Sequence, residues 1–182
     1  MKCKKIGVLG LVLFTTFSTL AENYIQLDYS TITVKSSYPS TGNLQTKPDI
    51  IGVYIGRELS EHLAVEGLFA SGVNKSDTTK DGATQATPVS TKVDSYYGLF
   101  VKPKMSITKS TELFSRFGYL HGGSTASTST SSASSTSNNW VYGIGVSYDL
   151  SDKAYISGAF QQATSRNNIK SDSWSLGVGY RF

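Results

Sequence analysis

The sequence has little of what usually carries chemistry: one cysteine, two histidines and four prolines in 182 residues. The cysteine, Cys3, stands ahead of an apolar run at the amino end. Disulfide scaffolding, thiolate nucleophiles and cysteine metal sites are thereby excluded from the rest of the chain. His62 and His121 lie far apart with no clustered ligands around them, so they do not suggest a metal set, and no cofactor motif is present. Charge is sparse too, at 16% of residues. Lys2, Lys4 and Lys5 account for three of the 17 basic residues, and without them 14 basic side chains face 13 acidic ones. What remains is scattered singly among acids, which excludes nucleic acid as a partner. Beyond Phe17 no apolar run is long enough for a membrane helix.

At the amino end, Lys2, Lys4 and Lys5 precede the apolar run Ile6 to Phe17, and Thr19-Leu20-Ala21 offers small residues for cleavage. Residues 1–21 read as a cleaved signal peptide. The alternative is a single membrane anchor, but about 12 apolar residues fall short of the roughly 20 it needs. Residues 22–182 then form the mature domain, rich in Ser, Thr, Gly and Tyr.

Within that domain the dominant signal has a period of two. From Ser173 to Phe182, Trp174, Leu176, Val178, Tyr180 and Phe182 alternate with Ser175, Gly177, Gly179 and Arg181. An apolar face backed by small and polar residues is what a transmembrane barrel strand shows, with lipid outside and a polar lumen inside. Eight stretches share the pattern: 24–34, 49–59, 63–72, 92–103, 112–121, 140–150, 154–162 and 173–182. Each has about the nine to eleven residues that a tilted strand needs to cross a bilayer. Their connections alternate. Ser60 to His62, Met105 to Ser110 and Ser151 to Lys153 are short, whereas Lys35 to Lys47, Val73 to Thr91, Gly122 to Asn139 and Ala163 to Asp172 are long and polar. A soluble β-sandwich could also use eight strands, but it has no need of this alternation. The expected fold is all-β, an eight-stranded antiparallel up-and-down transmembrane β-barrel in a Gram-negative cell outer membrane, with the long loops outside.

The same period assigns facing. Ile25, Leu27, Tyr29, Ile51, Val53, Ile55, Leu63, Val65, Phe69, Val93, Tyr97, Leu99 and Val101 are expected on the lipid side. Trp140 and Trp174 would anchor the outer interface, and Tyr148, Tyr180 and Phe182 the periplasmic one. Pro103 is placed at the end of strand four, past the ladder.

Asp94-Ser95-Tyr96-Tyr97-Gly98-Leu99-Phe100, Arg116-Phe117-Gly118-Tyr119, Tyr142-Gly143-Ile144-Gly145-Val146-Ser147-Tyr148 and Gly177-Val178-Gly179-Tyr180-Arg181-Phe182 are the stretches in which the chain resembles the small eight-stranded outer-membrane barrels of the OmpA and OmpX type. The resemblance covers the mature chain and speaks for architecture. It implies that Phe182 serves as a signal for the outer-membrane assembly machinery. No further domain is expected after the barrel, so the peptidoglycan-binding role of two-domain relatives does not carry over.

Inward positions place Asp28, Glu66 and Arg116 at similar depths, with Lys102, Glu58 and Arg181 as a second group nearer the periplasm. In so narrow a lumen this polar cluster is expected to be a paired plug, with a gated small pore as the alternative. Inward Tyr54, Tyr96, Phe100, Phe114 and Tyr155 add bulk that an open channel could not hold. Barrel lipid A deacylases carry His-x-Ser on a strand, and His121-Gly122-Gly123-Ser124 departs from it, so the chain is not expected to be an enzyme. Ser124 to Ser137 (STASTSTSSASSTS) is a low-complexity hydroxyl run. It is either a solvated loop or a surface contact segment that extends strands five and six and offers an edge to a host or surface ligand. Lys75, Lys80, Arg166 and Lys170 could reach lipopolysaccharide phosphates, tempered by Asp77, Asp81 and Asp172. The expected role is that of a monomeric surface protein in adhesion or envelope integrity.

Overall fold

The computed structural model describes residues 22–38, 42–84, 89–166 and 169–182. The expected signal peptide, residues 1–21, lies outside the described residues. Twelve strands follow in order: β1 (Asn23–Tyr38), β2 (Gly42–Thr46), β3 (Asp49–Ser60), β4 (Leu63–Gly72), β5 (Lys75–Asp77), β6 (Thr79–Lys80), β7 (Ala83–Thr84), β8 (Ser90–Ser106), β9 (Thr111–Ser127), β10 (Ser132–Asp149), β11 (Ala154–Arg166) and β12 (Ile169–Arg181). Eight are long and make the wall, in the order β1-β3-β4-β8-β9-β10-β11-β12, every pair antiparallel. Thirteen residue pairs from Tyr24↔Arg181 to Ser36↔Ile169 join β12 back to β1 and close the barrel. Closure removes the open edges that an isolated sheet would present.

Alternation along each wall strand determines what the two surfaces contain. Trp174, Leu176, Val178 and Tyr180 on β12 and Phe182 just after it are all exposed, as are Leu99, Ile144 and Phe69 on other strands. Around the whole barrel this makes an apolar band that water would not tolerate and hydrocarbon does. Trp140 stacks on Phe117 with centroids 5.3 Å apart and meets Tyr119 edge-on at 5.2 Å, while Trp174 lies 4.9 Å from Phe160. The short turns come from local hydroxyls. Ser151 Oγ accepts from Ala154 N at 3.0 Å, and Thr108 Oγ1 from Ser110 N at 3.2 Å.

Three expectations change. β9 and β10 extend well above 112–121 and 140–150 at their upper ends, because the β9–β10 ladder continues above Trp140 to Ser127↔Ser132. Of the two readings of Ser124 to Ser137, a solvated loop or an extension of strands five and six, the structure has the extension, closed by a turn. Val93 faces inward and is 3% exposed, not lipid-facing. The cause is a bulge at Asp94: Val93 pairs with Ser124 and Ser95 with Gly123, so one extra residue resets the parity. Pro103 lies within β8, where it pairs with Leu63. Its missing donor is accommodated where the β8–β9 ladder passes from Val101↔Phe117 to Lys104↔Phe114. The second long connection also carries its own hairpin. Asp81 and Gly82, with φ of 48° and 84°, turn β6 into β7, as the mirror-image two-residue turn requires.

Candidate functional site

Inward residues from six strands meet in the middle of the barrel. Arg116 on β9 reaches across to Glu66 on β4, with Nε donating to Oε2 at 2.6 Å and Nη2 to Oε1 at 3.1 Å. Tyr24 on β1 donates to the same Oε1 at 2.7 Å. Lys102 Nζ lies 3.5 Å from Glu66 Oε1, and Arg116 Nη1 lies 3.9 Å from Asp28 Oδ2. Asp28 also accepts from Gln26 Nε2 at 2.6 Å, and Gln26 Oε1 accepts from Tyr155 OH at 3.0 Å. Rings complete the enclosure: the Arg116 guanidinium sits 4.0 Å from the Tyr54 centroid, and Lys102 sits 4.6 Å from that of Phe114.

Asp28, Glu66 and Arg116, expected at one depth, come together here and Lys102 joins them, each no more than 4% exposed. Two carboxylates face two cations, which is the balance that burial of charge demands. Lys102 belongs to this cluster and not to a separate group with Glu58 and Arg181. Glu58 pairs instead with Lys104, 2.5 Å away, which also meets Glu112 at 3.1 Å. Arg181 pairs with Asp149 at 2.8 Å. These two groups form a periplasmic layer. Lys104, Glu112 and Asp149 were not singled out by sequence; their inward parity at the lower ends of β8, β9 and β10 was the available signal.

Above the charged layer the lumen turns apolar. Tyr54, Leu68, Ala70, Phe100 and Val141 pack together, with Ile50, Tyr96, Leu120 and Ala163 against them. Tyr54 and Phe100 meet edge-on with centroids 6.0 Å apart. Facing glycines make the room. A methyl group on Gly179 would stand 2.0 Å from Tyr155 Cζ, and one on Gly177 2.0 Å from Asp28 Oδ1. The ionic layers are thus overlaid by packed rings.

At the surface the chain offers structure of another kind. From Leu120↔Asn139 to Ser127↔Ser132 the β9–β10 ladder adds eight pairs above Trp140, roughly 25 Å along the strands at about 3.3 Å per residue. His121 Nδ1 and Asn138 Oδ1 are 2.5 Å apart on this ladder, and the His121 ring lies 4.9 Å from that of Tyr97. Ser124 pairs across with Ser135, not with His121. Asp94 Oδ2 accepts from Thr125 Oγ1 at 2.8 Å and ties the ladder to β8.

Lysines stand opposite each other at two places on the outer rim, Lys35↔Lys170 between β1 and β12 and Lys75↔Lys92 between β5 and β8. All four are exposed. Lys35 and Lys92 were missed from sequence because only the register reveals their partners. Lys80 is on β6 beside Leu44, apart from both pairs. The Arg166 side chain lies outside what is described. Phe182 is joined to the first strand by Asn23 N donating to its carbonyl at 3.1 Å and its own N–H donating to Asn23 O at 2.8 Å. Its ring is exposed on the lipid side, as are those of Tyr148 and Tyr180.

A family model described as outer membrane protein beta-barrel domain matches residues 7–182. The attachment invasion locus protein of Yersinia enterocolitica is 30% identical over 87 residues, 48% of this chain and 48% of that protein. The match thus spans about half the length of that curated relative. The crystal structure of Ail, the attachment invasion locus protein of Yersinia pestis, superposes with a TM-score of 0.62 at 21% identity, over 89% of this chain and 99% of that one. A second structure of the same protein, in complex with the heparin analogue sucrose octasulfate, gives 0.59 at 20% identity over 89% and 99%. At these identities the superpositions speak for the fold.

Proposed function

This chain belongs to the outer membrane protein beta-barrel domain family, and on that premise we propose that it is a plugged outer-membrane barrel whose role is contact at the cell surface. It resides in the outer membrane of a Gram-negative cell. The observation that carries the reading is the contrast along the barrel axis. Inside the membrane Arg116, Glu66 and the rings above them occupy the lumen, whereas β9 and β10 carry their ladder on past this apolar layer as far as Ser127↔Ser132. Strand pairing at that height contributes to neither transport nor barrel closure, and it holds a surface segment in one shape. Attachment is the activity printed in the name of the relative that matches over about half its length, and adhesion or envelope integrity is the role we assign here.

Several narrower readings accompany it. The lumen cluster of Asp28, Glu66, Arg116 and Lys102 acts as a structural plug. Trp140 and Trp174 anchor the outer interface, Tyr148 and Tyr180 the inner one. The Phe182 ring, at the end of the closing strand, is the signal for the assembly machinery. The barrel works as a monomer, since its wall closes within one chain. Lys35 with Lys170, and Lys75 with Lys92, face outward as like-charged neighbours, an arrangement that destabilises a sheet unless an anion lies against it; phosphates of lipopolysaccharide supply that anion. Catalysis is not part of the reading, because a Ser and His hydrolase needs its imidazole against the hydroxyl, and His121 is turned to Asn138.

The test has two arms. Residues 124–137 are replaced by a two-residue turn, and both forms are displayed on a non-adherent Gram-negative strain. Adherence to cultured cells and matrix should require the intact ladder. Purified full-length barrel in a planar bilayer should show no steady conductance. Conductance together with adherence that ignores the replacement would reverse the assignment in favour of a small pore.

A further inference from the structure

One edge of the wall is open above the membrane. β9 runs alongside β10 from Ser132 downward, whereas the β10–β11 ladder begins only at Val141↔Ala163. Among the described residues, no strand is paired to the other side of Ser132 to Asn139. The phase of this edge follows from the hairpin end, where Thr128 N donates to Ser131 O at 2.8 Å. Antiparallel pairs alternate between hydrogen-bonded and non-bonded, and side chains stand closest in the non-bonded ones. Ser127↔Ser132 is therefore non-bonded, Ala126↔Ala133 bonded, and so on downward. Thr125 Oγ1 against Ser134 Oγ at 2.9 Å and His121 against Asn138 both fall on non-bonded pairs, in agreement. The N–H and C=O groups of Ser132, Ser134, Thr136 and Asn138 thus point into the open edge.

Natural sheets blunt such an edge with Lys, Pro, inward charge or a bulge. Ser132 to Asn139 (SASSTSNN) contains no charge and no proline, and its pairing with β9 keeps one register down to Tyr148↔Thr111. Every residue from Ser132 to Asn138 is exposed. Small hydroxyl side chains leave the backbone accessible and build no pockets for specific side chains.

We propose that this edge takes an extended, uncharged segment of a partner polypeptide as an added strand, recognised by its main chain. The proposal rests on the surface-contact reading and names its partner class. Neutrality points to such a segment: a charged strand would find no counter-charge along the edge, and a polyanion would go to the lysine pairs. A second copy fits less well. Antiparallel self-pairing would match Ser132 with Asn138 and Ser134 with Thr136, but only between barrels in apposed membranes. Each hairpin tip would then reach Asn139 of the other copy, one residue above its Trp140 belt, and hold the membranes roughly 25 Å apart. Two facing carbohydrate layers fill that gap before it closes. Within one membrane both copies of β10 run the same way, which leaves the weaker parallel pairing.

The experiment uses the full barrel, isotope-labelled in lipid nanodiscs, and a synthetic octapeptide of alternating Thr and Val as the probe. Binding should shift and protect the amides of Ser132, Ser134, Thr136 and Asn138. It should be lost when alternate residues of the peptide are N-methylated. Thr136→Pro removes one open-edge donor without taking a bond from β9, and should weaken binding about tenfold, whereas Ser135→Ala should leave it unchanged. Should the proline variant not fold, Thr136→Lys keeps the strand and places a charge on the edge, with the same expected loss. Peptide binding indifferent to N-methylation overturns the proposal, and so does a concentration-dependent dimer in place of peptide binding. If replacing residues 124–137 abolishes adherence and Thr136→Pro does not, surface contact stands and strand addition falls.

Discussion

Arg116 grips Glu66 with two parallel donors, Nε to Oε2 at 2.6 Å and Nη2 to Oε1 at 3.1 Å, and so links β9 to β4 through the lumen. The two strands are separated in the wall by β8, and the pair shortens that path through the interior. Both side chains are removed from water, so the energy lies in their complementarity. Leaving either one alone strands a buried charge.

Arg116→Ala should therefore lower the unfolding free energy by about 3–5 kcal/mol, the usual cost of breaking a buried pair. Urea titration of the refolded barrel in detergent, followed by the electrophoretic shift between folded and unfolded forms, measures it. Adding Glu66→Gln to that variant should recover part of the loss, since Asp28 and Glu66 otherwise face Lys102 as the one remaining cation of the cluster. Bilayer conductance should stay silent in Arg116→Ala because Tyr54, Leu68, Phe100 and Val141 still close the layer above. A steady current would make the pair a gate.

Val178 lies midway along β12 between Trp174 and Phe182 and is 58% exposed. At an ordinary aqueous surface, Val178→Arg would change stability by no more than about 0.5 kcal/mol. At the middle of a bilayer the same change should cost about 2–4 kcal/mol. Unfolding measured in lipid vesicles separates the two environments, and Lys170→Arg, above the outer interface, serves as the near-neutral control.

Much of the architecture was legible because barrel strands write it twice, once in lipid-facing alternation and once in the lengths of the turns. Asp28, Glu66 and Arg116 could be grouped by counting residues in from each strand's start. Lys102 could not, because its choice of Glu66 over Glu58 depends on how far a long side chain reaches. Val93 was misread for a physical reason: parity is an integer property, and the single extra residue at Asp94 inverts it without leaving a hydrophobic trace. The upper halves of β9 and β10 were legible only as one of two readings of the hydroxyl run. Ser132 to Ser137 are exposed on both faces and Ser124 to Ser127 are uniformly half-buried, so no alternation marks either strand and only pairing holds them extended. Asp81-Gly82 was readable all along as a hairpin signal.

Gly179 gives way to a ring. A methyl group there would stand 2.0 Å from Tyr155 Cζ and 2.4 Å from its hydroxyl oxygen, so Gly179→Ala forces the phenol off Gln26. The expected cost is about 1–3 kcal/mol of overpacking, measured by the same urea titration. Tyr155→Val in the Gly179→Ala background should restore most of it by opening the space. If the double variant is no better than the single one, strain at Gly179 has another source.

The bulge at Asp94 can be tested by accessibility, since the only cysteine, Cys3, lies in the expected signal peptide and leaves the barrel without a competing thiol. Val93→Cys should resist a membrane-impermeant maleimide, and Lys92→Cys should react. Deleting Asp94 distinguishes a bulge from a regular strand. In a regular strand the deletion shifts every residue above it by one and turns position 93 outward, where it would label. With the bulge, Val93 already pairs with Ser124 and Ser95 with Gly123, so deletion merely straightens β8, and position 93 should stay protected. What the deletion does remove is the hydrogen bond from Thr125 Oγ1 to Asp94 Oδ2. Amide exchange along Ser124 to Ser127 should therefore quicken, while labelling at positions 92 and 93 stays as it was.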